Sequence, residues 1–170
     1  MVPDDFTVFF CYASDKMHLS GMDYRPQFRE WQARIKSPRQ LIAYDYYYEH
    51  TRYKGERPPV PYIFTGLLKQ EFAELYGKCD GWLLEGMVAN RTKNGFDGFY
   101  RPAINSPMFY LRNRMSWDRN CDPVKELEDM CRRYYGPGAK EMMELYTEAE
   151  KVWMRPVARA VTMNSGYIKK

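Results

Sequence analysis

Two carboxylate side chains follow apolar runs that are short enough to be buried strands. Asp45 closes the run LIAYD within the stretch LIAYDYYYEH, and Glu85 closes the run GWLLE. Hydrolysis of a glycosidic bond uses two carboxyl groups, one as a proton donor and one as a nucleophile or base. If the two strands are neighbours, Asp45 and Glu85 face one pocket as a catalytic pair. The alternative is structural: Asp45 pairs with a nearby arginine, and Glu85 accepts backbone hydrogen bonds.

Tyrosines surround Asp45, and an aromatic ring can stack on the C–H groups of a sugar. Side chains alternate along a strand, which puts Asp45 and Tyr47 on one side and Tyr44 on the other. We predict that the side of Asp45 faces a ligand and that the side of Tyr44 packs against helices. Tyr47 is therefore an aromatic candidate for binding a sugar. Tyr48, at the end of the same run, and Trp82 of the next strand are further candidates.

Three basic side chains lie in segments that follow predicted strands. His18 belongs to SDKMHLSG, directly after the first strand, and such loops often carry function. Arg91 and Arg101 lie in a long loop, where a guanidinium can bind the carboxylate of a uronic acid through two hydrogen bonds. The alternative for each of the three is a solvated loop residue.

The composition is that of one domain with a mild positive charge. The chain has 170 residues, 45% of them hydrophobic, which is enough for a core. The net charge of +4 is scattered, whereas a nucleic-acid interface needs a concentrated basic patch. No apolar run approaches the roughly 20 residues of a membrane span, and MVPDDF lacks the apolar region of a signal peptide. We therefore expect neither a nucleic-acid nor a membrane partner.

The cysteines and the known short motifs give no sign of a cofactor. The four cysteines, Cys11, Cys79, Cys121 and Cys131, lack the spacing of metal ligands. The sequence contains no phosphate loop, nucleophile elbow, dinucleotide fingerprint or zinc motif. We therefore expect no cofactor and no metal. Pairing of Cys121 with Cys131 stays open, beside the interpretation that all four are buried or idle thiols.

The first half of the chain alternates between strand and helix patterns. The predicted strands cover residues 5–13, 40–48 and 81–87, and the predicted helices cover residues 23–36 and 62–77. Continuously apolar strands joined by helices are typical of a parallel sheet covered by helices. The fold class is therefore α/β.

The second half is predicted to be helical after an irregular segment. We interpret residues 88–105 as a mobile loop rather than a hairpin at 94–95, because no alternating strands flank that Asn-Gly pair. The Ser-Pro pair at 106–107 and the Asp-Pro pair at 122–123 each predict a helix start, with a capping residue before proline. Gly136 is predicted to end the second of these helices.

Three parallel strands are few for a closed architecture. A (β/α) barrel needs eight strands, and an open sheet of three leaves two edges unpaired. We predict the C-terminal βα units of a partial (β/α) TIM-type barrel in residues 1–105, with a helical segment packed on them in residues 106–170. The partner is then a missing N-terminal barrel half or another copy of the chain. The alternative is a small complete three-layer domain.

Three segments in order along the chain carry a resemblance to a known family. They are QFREWQARIKSPRQLIAYDYYYEH, CDGWLLEGM and YLRNRMSWDRNCDPVKELEDMCRRYYGPGAKEMMELY. From residue 5 to about residue 150 the chain resembles the C-terminal part of a bacterial glycoside hydrolase-like family. That family is catalogued as a domain of unknown function and is related in fold to alpha-glucuronidase barrels.

The resemblance implies a function, a partner and a location. It implies a glycoside hydrolase acting on polysaccharide, with a carbohydrate partner that includes uronic acids, and a secreted or periplasmic protein. Asp45 and Glu85 would be its catalytic residues, and Arg91 and Arg101 its cations for a uronate. The alternative is a non-catalytic carbohydrate-binding or assembly module whose site is degenerate.

Overall fold

The computed structural model describes residues 2–12, 23–45, 61–84, 90–92, 95–97 and 102–154. Side chains are described within the segments 2–12, 23–45, 61–84 and 106–154. These segments form a mixed α/β structure in which a parallel sheet and two helices are followed by a helical region.

The sheet has three parallel strands in the order in which they occur along the chain. They are β1 (Val8–Cys11), β2 (Leu41–Asp45) and β3 (Gly81–Leu84). Val8 lies opposite Leu41, and Ile42 lies opposite Gly81, so all three strands end at the same edge of the sheet. The predicted α/β class with three parallel strands is confirmed.

Two helices cover one face of the sheet. Helix α1 (Arg25–Arg34) carries a proline in its first turn, where the missing N–H has no intrahelical partner to lose. Helix α2 (Thr65–Leu75) ends before Gly77, whose φ of 74° fits the left-handed region that glycine tolerates. Both helices pack on the same side of β2, because Phe28 of α1 and Leu75 of α2 share a core cluster with Leu41 and Ala43.

The alternation along β2 is as predicted, but the two sides are exchanged. Leu41, Ala43 and Asp45 have no exposed surface and lie on the side that the helices cover. Tyr44 is only half-buried and lies on the other side. The prediction that the side of Tyr44 packs against helices is therefore wrong. The physical reason is that alternation defines two sides of a strand but not which one the helices cover, and here the crossovers place α1 and α2 on the side of Leu41 and Ala43.

The region predicted as a mobile loop contains a hairpin. Strands β4 (Asn90–Thr92) and β5 (Gly95–Asp97) pair in antiparallel fashion, with Arg91 opposite Phe96. Residues 93–94 separate the strands, and two residues is the shortest common hairpin connection. The loop interpretation was wrong because it required alternating apolar residues, which strands this short do not show.

Three helices form the rest of the described chain. They are α3 (Pro102–Trp117), α4 (Pro123–Tyr135) and α5 (Ala139–Trp153). The predicted start of a helix at Ser106-Pro107 is wrong, since α3 begins at Pro102 and contains Pro107. The predicted start of α4 is confirmed: the Asp122 carboxylate accepts hydrogen bonds from the N–H groups of Val124 (2.9 Å) and Lys125 (3.3 Å).

The C-terminal helices pack on α2 and share its core. The Glu150 carboxylate of α5 accepts hydrogen bonds from the Thr65 hydroxyl (2.6 Å) and the Gly66 N–H (2.9 Å). The N-cap of α2 is Phe64, which has no capping side chain, so Glu150 fills that role from another helix. The Trp153 indole N–H donates to the Pro61 carbonyl at 2.8 Å, which fixes the end of α5 beside the start of α2.

Two further predictions concern a disulfide and a membrane-spanning helix. Cys79, Cys121 and Cys131 are free thiols, so the pairing of Cys121 with Cys131 is not formed. Burial raises the pKa of the Cys79 thiol to about 11, which makes it unreactive at neutral pH. Among the described residues, no helix is long and apolar enough to cross a membrane.

Candidate functional site

Asp45 is the last residue of β2 and lies where the three strands end. It is opposite Leu84, the last residue of β3. The carboxylate points toward the helices and has no exposed surface. This position is set by the alternation along β2, which places Asp45 in line with the buried Leu41 and Ala43.

An arginine from α3 pairs with Asp45. The Arg112 Nη2 atom lies 3.0 Å from the Asp45 Oδ2 atom. The same guanidinium donates two hydrogen bonds to Glu71 of α2, at 2.7 Å from Nη2 to Oε1 and at 3.1 Å from Nη1 to Oε2. We call these three residues the Asp45–Glu71–Arg112 cluster. It connects the sheet, α2 and α3.

The cluster is buried, and both of its carboxylates contact the same guanidinium. The side chain of Arg112 is 3% exposed, and those of Asp45 and Glu71 are 0% and 1% exposed. Two carboxylates therefore share one guanidinium away from water. Removing one partner of such a group typically costs about 3–5 kcal/mol, because a buried charge is left without compensation. The Arg112 guanidinium also lies 5.7 Å from the centre of the Phe72 ring, within the range of a cation–π contact.

These contacts correct one part of the predicted site. We expected the Asp45 carboxylate to open onto a cavity, and that expectation is wrong, because the carboxylate is enclosed between β2, α2 and α3. The structural alternative, an aspartate paired with a nearby arginine, is what the structure contains. The catalytic roles of Asp45 and Glu85 stay predictions, and Glu85 lies outside the described residues.

Trp82 also lies on the covered side of the sheet. Its ring stacks on Phe72 at a centroid distance of 4.8 Å and meets Tyr76 edge-on at 5.3 Å. Its indole N–H is buried and has no hydrogen-bond partner within the part of the chain that the structure describes. Trp82 therefore packs between β3 and α2, and its role as a sugar contact stays a prediction.

The remaining candidates fall on segments that follow the strands. His18 comes after β1, and Tyr47 and Tyr48 come after β2; all three lie outside the described residues, as does Arg101. The backbone of Arg91 belongs to β4, and its side chain is outside the described set. Their roles as sugar contacts stay predictions.

Sequence reasoning missed Glu71 and Arg112, although a signal was present. Glu71 lies on the apolar stripe of α2, three residues after Leu68 and four before Leu75. Arg112 lies on the stripe of α3, four residues after Met108. A charged residue at these spacings falls among the core positions of a helix. Two such residues of opposite charge on neighbouring helices indicate a buried ion pair.

The other described regions have fewer features that are typical of a metal or ligand site. No group of three or more His, Cys, Asp or Glu side chains among the described residues is arranged to hold a metal ion. A groove of about 430 Å³ lies between α4 and α5 and is far along the chain from every predicted site residue. It is lined by side chains of both charges around an apolar floor: Glu128, Arg132, Ala139, Lys140, Met143, Glu144, Thr147 and Glu148.

Comparison of the chain with models of protein families, with curated proteins and with solved structures finds no match.

Proposed function

We propose that the chain forms consecutive βα units of a (β/α) barrel and that it acts on carbohydrate as a glycoside hydrolase-like protein. The observation that carries the proposal is the winding of the sheet. The strand order β1-β2-β3 follows the chain, and both connecting helices pack on one face.

Winding in one direction is a requirement for a barrel. Crossovers between parallel strands have a fixed hand, so a sheet that grows in one direction places every helix on the same side. A doubly wound sheet reverses its direction once and carries helices on both sides, but each of its halves has the same sequential order. The sequential order and the single helical layer therefore fit the barrel that the resemblance implies, and they exclude only a reversal within these three strands.

The other face of the sheet also fits a barrel wall. Phe9 is 57% exposed and Leu83 is 47% exposed, and both lie on the side opposite α1 and α2. In a closed barrel, side chains on this side fill the interior. Within the described residues, β1 and β3 each pair with β2 alone, so each has a free edge for a further strand.

The candidate sugar contacts agree with this geometry. Barrel enzymes carry their active sites at the C-terminal ends of the strands. His18 follows β1, Tyr47 and Tyr48 follow β2, and Glu85 follows β3. In this proposal Glu85 is a reacting carboxyl group and the tyrosines stack on sugar rings. Arg91 and Arg101 supply cations for a uronic acid.

The burial of Asp45 favours a second candidate function, a carbohydrate-binding or assembly module without catalysis. Asp45 pairs with Arg112 and has no exposed surface, so one of the two predicted carboxyl groups has no access to a substrate in this arrangement. Glycoside hydrolysis needs both groups placed across the scissile bond, whereas binding does not.

A hydrolysis assay and a binding assay together separate these candidates. The probes are the α and β anomers of 4-methylumbelliferyl D-glucuronide for turnover. D-glucuronate, with D-glucose as the neutral control, is used for calorimetric titration. In an enzyme, Glu85→Gln lowers turnover by about 10²–10⁴-fold while Glu128→Gln, an exposed glutamate on α4, leaves it unchanged. Binding of D-glucuronate without turnover supports the module, and the absence of any response to either sugar overturns both.

A further inference from the structure

We propose that Arg112 is a positioning residue that, held by Glu71, fixes the end of β2 at the candidate site. The functional part of this inference rests on the proposed carbohydrate function, since Tyr47 and Tyr48 continue directly from β2. The local part, an ordered strand end, rests on the contacts of the described residues alone.

The geometry of the guanidinium leaves it one orientation. Glu71 accepts from both terminal nitrogens of Arg112, at 2.7 and 3.1 Å, in the two-bond arrangement that fixes a planar guanidinium. The Phe72 ring lies 5.7 Å away. With its plane fixed in this way, Arg112 holds its Nη2 atom 3.0 Å from the Asp45 Oδ2 atom, as an ion pair without hydrogen-bond alignment. The helical layer thus places a fixed positive charge against the last side chain of β2.

Stability alone gives a poor account of this cluster. Replacing a buried ionic group by well-packed hydrophobic residues of similar volume is often neutral or stabilising. The cluster instead lies at the strand end, where a (β/α) site is built and where small displacements matter most. The geometry and the position together point to Arg112 as the residue that holds this end of the sheet in place.

The test removes the charges of the whole cluster at once in the full chain. The variant Asp45→Val/Glu71→Leu/Arg112→Met replaces all three charges by apolar side chains of roughly similar volume and leaves no buried polar group unpaired. Hydrogen–deuterium exchange is followed in peptides that cover residues 41–48 and, as a reference, residues 123–135 of α4. Arg114→Met is the matched control, because Arg114 is on the same helix but is half exposed and pairs with Glu126.

We expect the triple variant to melt within a few degrees of the wild type and to exchange roughly tenfold faster in residues 41–48 only. Arg114→Met should leave those peptides unchanged. Unchanged exchange at residues 41–48 in the triple variant overturns the proposal, and so does an equal increase in α4, which would mean a general loss of stability. If the triple variant does not fold, Arg112→Lys replaces it, because lysine keeps the charge but lacks the planar fork. The same local increase is expected.

Titration of the same proteins with D-glucuronate separates this inference from the proposed function. The positioning role of Arg112 and the sugar function are both supported if the wild type binds D-glucuronate and the triple variant binds it about tenfold more weakly. The temperature is kept well below both melting points. If the wild type binds and the triple variant binds equally, positioning is overturned while the sugar function stands. If the wild type does not bind, the sugar function fails, and the exchange at residues 41–48 still decides whether Arg112 orders the strand end.

Discussion

The two faces of the three-stranded sheet have similar sequences and different surroundings. On the covered face, Phe28 of α1 contacts Phe10 and Tyr12 edge-on, with ring centroids 5.5 and 5.3 Å apart. On the open face, Phe9 and Leu83 remain about half exposed. Both faces are apolar, so hydrophobicity alone does not tell which one receives helices. The difference follows from the winding of the chain, which places both helices on one side.

The comparison predicts a large difference between two phenylalanine truncations. Phe28 is fully buried, so Phe28→Ala should lower the free energy of unfolding by about 3–5 kcal/mol through lost burial and a cavity. Phe9 is 57% exposed, and Phe9→Ala should cost about 1 kcal/mol or less. Urea denaturation of both variants measures the difference. A cost for Phe9→Ala that equals the cost for Phe28→Ala would mean that something covers the open face in solution.

The open face should also control association of the chain with itself. Exposed apolar residues beside free strand edges invite pairing with another molecule. We expect the wild type to self-associate at micromolar concentration, and the double variant Phe9→Lys/Leu83→Lys to weaken association by about tenfold or more. Sedimentation at several concentrations measures this. The control is Leu145→Lys, an exposed apolar residue on α5, away from the sheet. A wild type that stays monomeric and unfolds cooperatively would favour a small complete domain.

The sequence predicted local features well because their causes are local. The Asp-Pro pair at 122–123 predicts a capped helix start, and the apolar strands with intervening helices predict a parallel sheet; both are confirmed. The alternation along β2 is also confirmed, since every second residue from Leu41 to Asp45 is buried. Each of these features depends on residues within a few positions of one another.

The side of the sheet on which Asp45 lies could not be predicted in the same way. Alternation defines two sides but does not tell which of them faces helices, because that depends on contacts between distant parts of the chain. The Asp45–Glu71–Arg112 cluster joins residues up to 67 positions apart in three elements. A lone carboxylate at a strand end therefore predicts a catalytic residue and a structural one equally well, until its partner is known.

Polar contacts between helices should stabilise the covered side of the sheet in addition to its apolar core. Glu150 of α5 caps α2 through Thr65 and Gly66, so Glu150→Ala should cost about 1–2 kcal/mol of unfolding free energy. Glu148→Ala is the control, because Glu148 lies on the same helix and forms an exposed ion pair with Lys151. It should change stability by less than about 0.5 kcal/mol. Equal effects of the two substitutions, measured by denaturation, would show that the cap of α2 adds little to the covered side.

The smallest expected effect concerns Asp122, which joins the start of α4 to Lys69 of α2 on the covered side. Hydrogen bonds from the Lys125 N–H, followed by the Lys69 ammonium, lower the pKa of the Asp122 carboxyl group. A carboxyl group whose pKa is lowered by folding stabilises the protein above its unfolded pKa of about 3.9, and this contribution is lost as the pH falls through the lower folded value. Asp122→Ala should therefore cost about 1 kcal/mol at pH 7, and the difference from the wild type should shrink below about pH 4. Asp122→Asn keeps a capping oxygen but loses the charge. Its free energy of unfolding at pH 7 should therefore lie between those of the wild type and Asp122→Ala. Denaturation curves at pH 7 and pH 3 test this, and a difference between wild type and Asp122→Ala that is the same at both values would exclude a contribution from the charge.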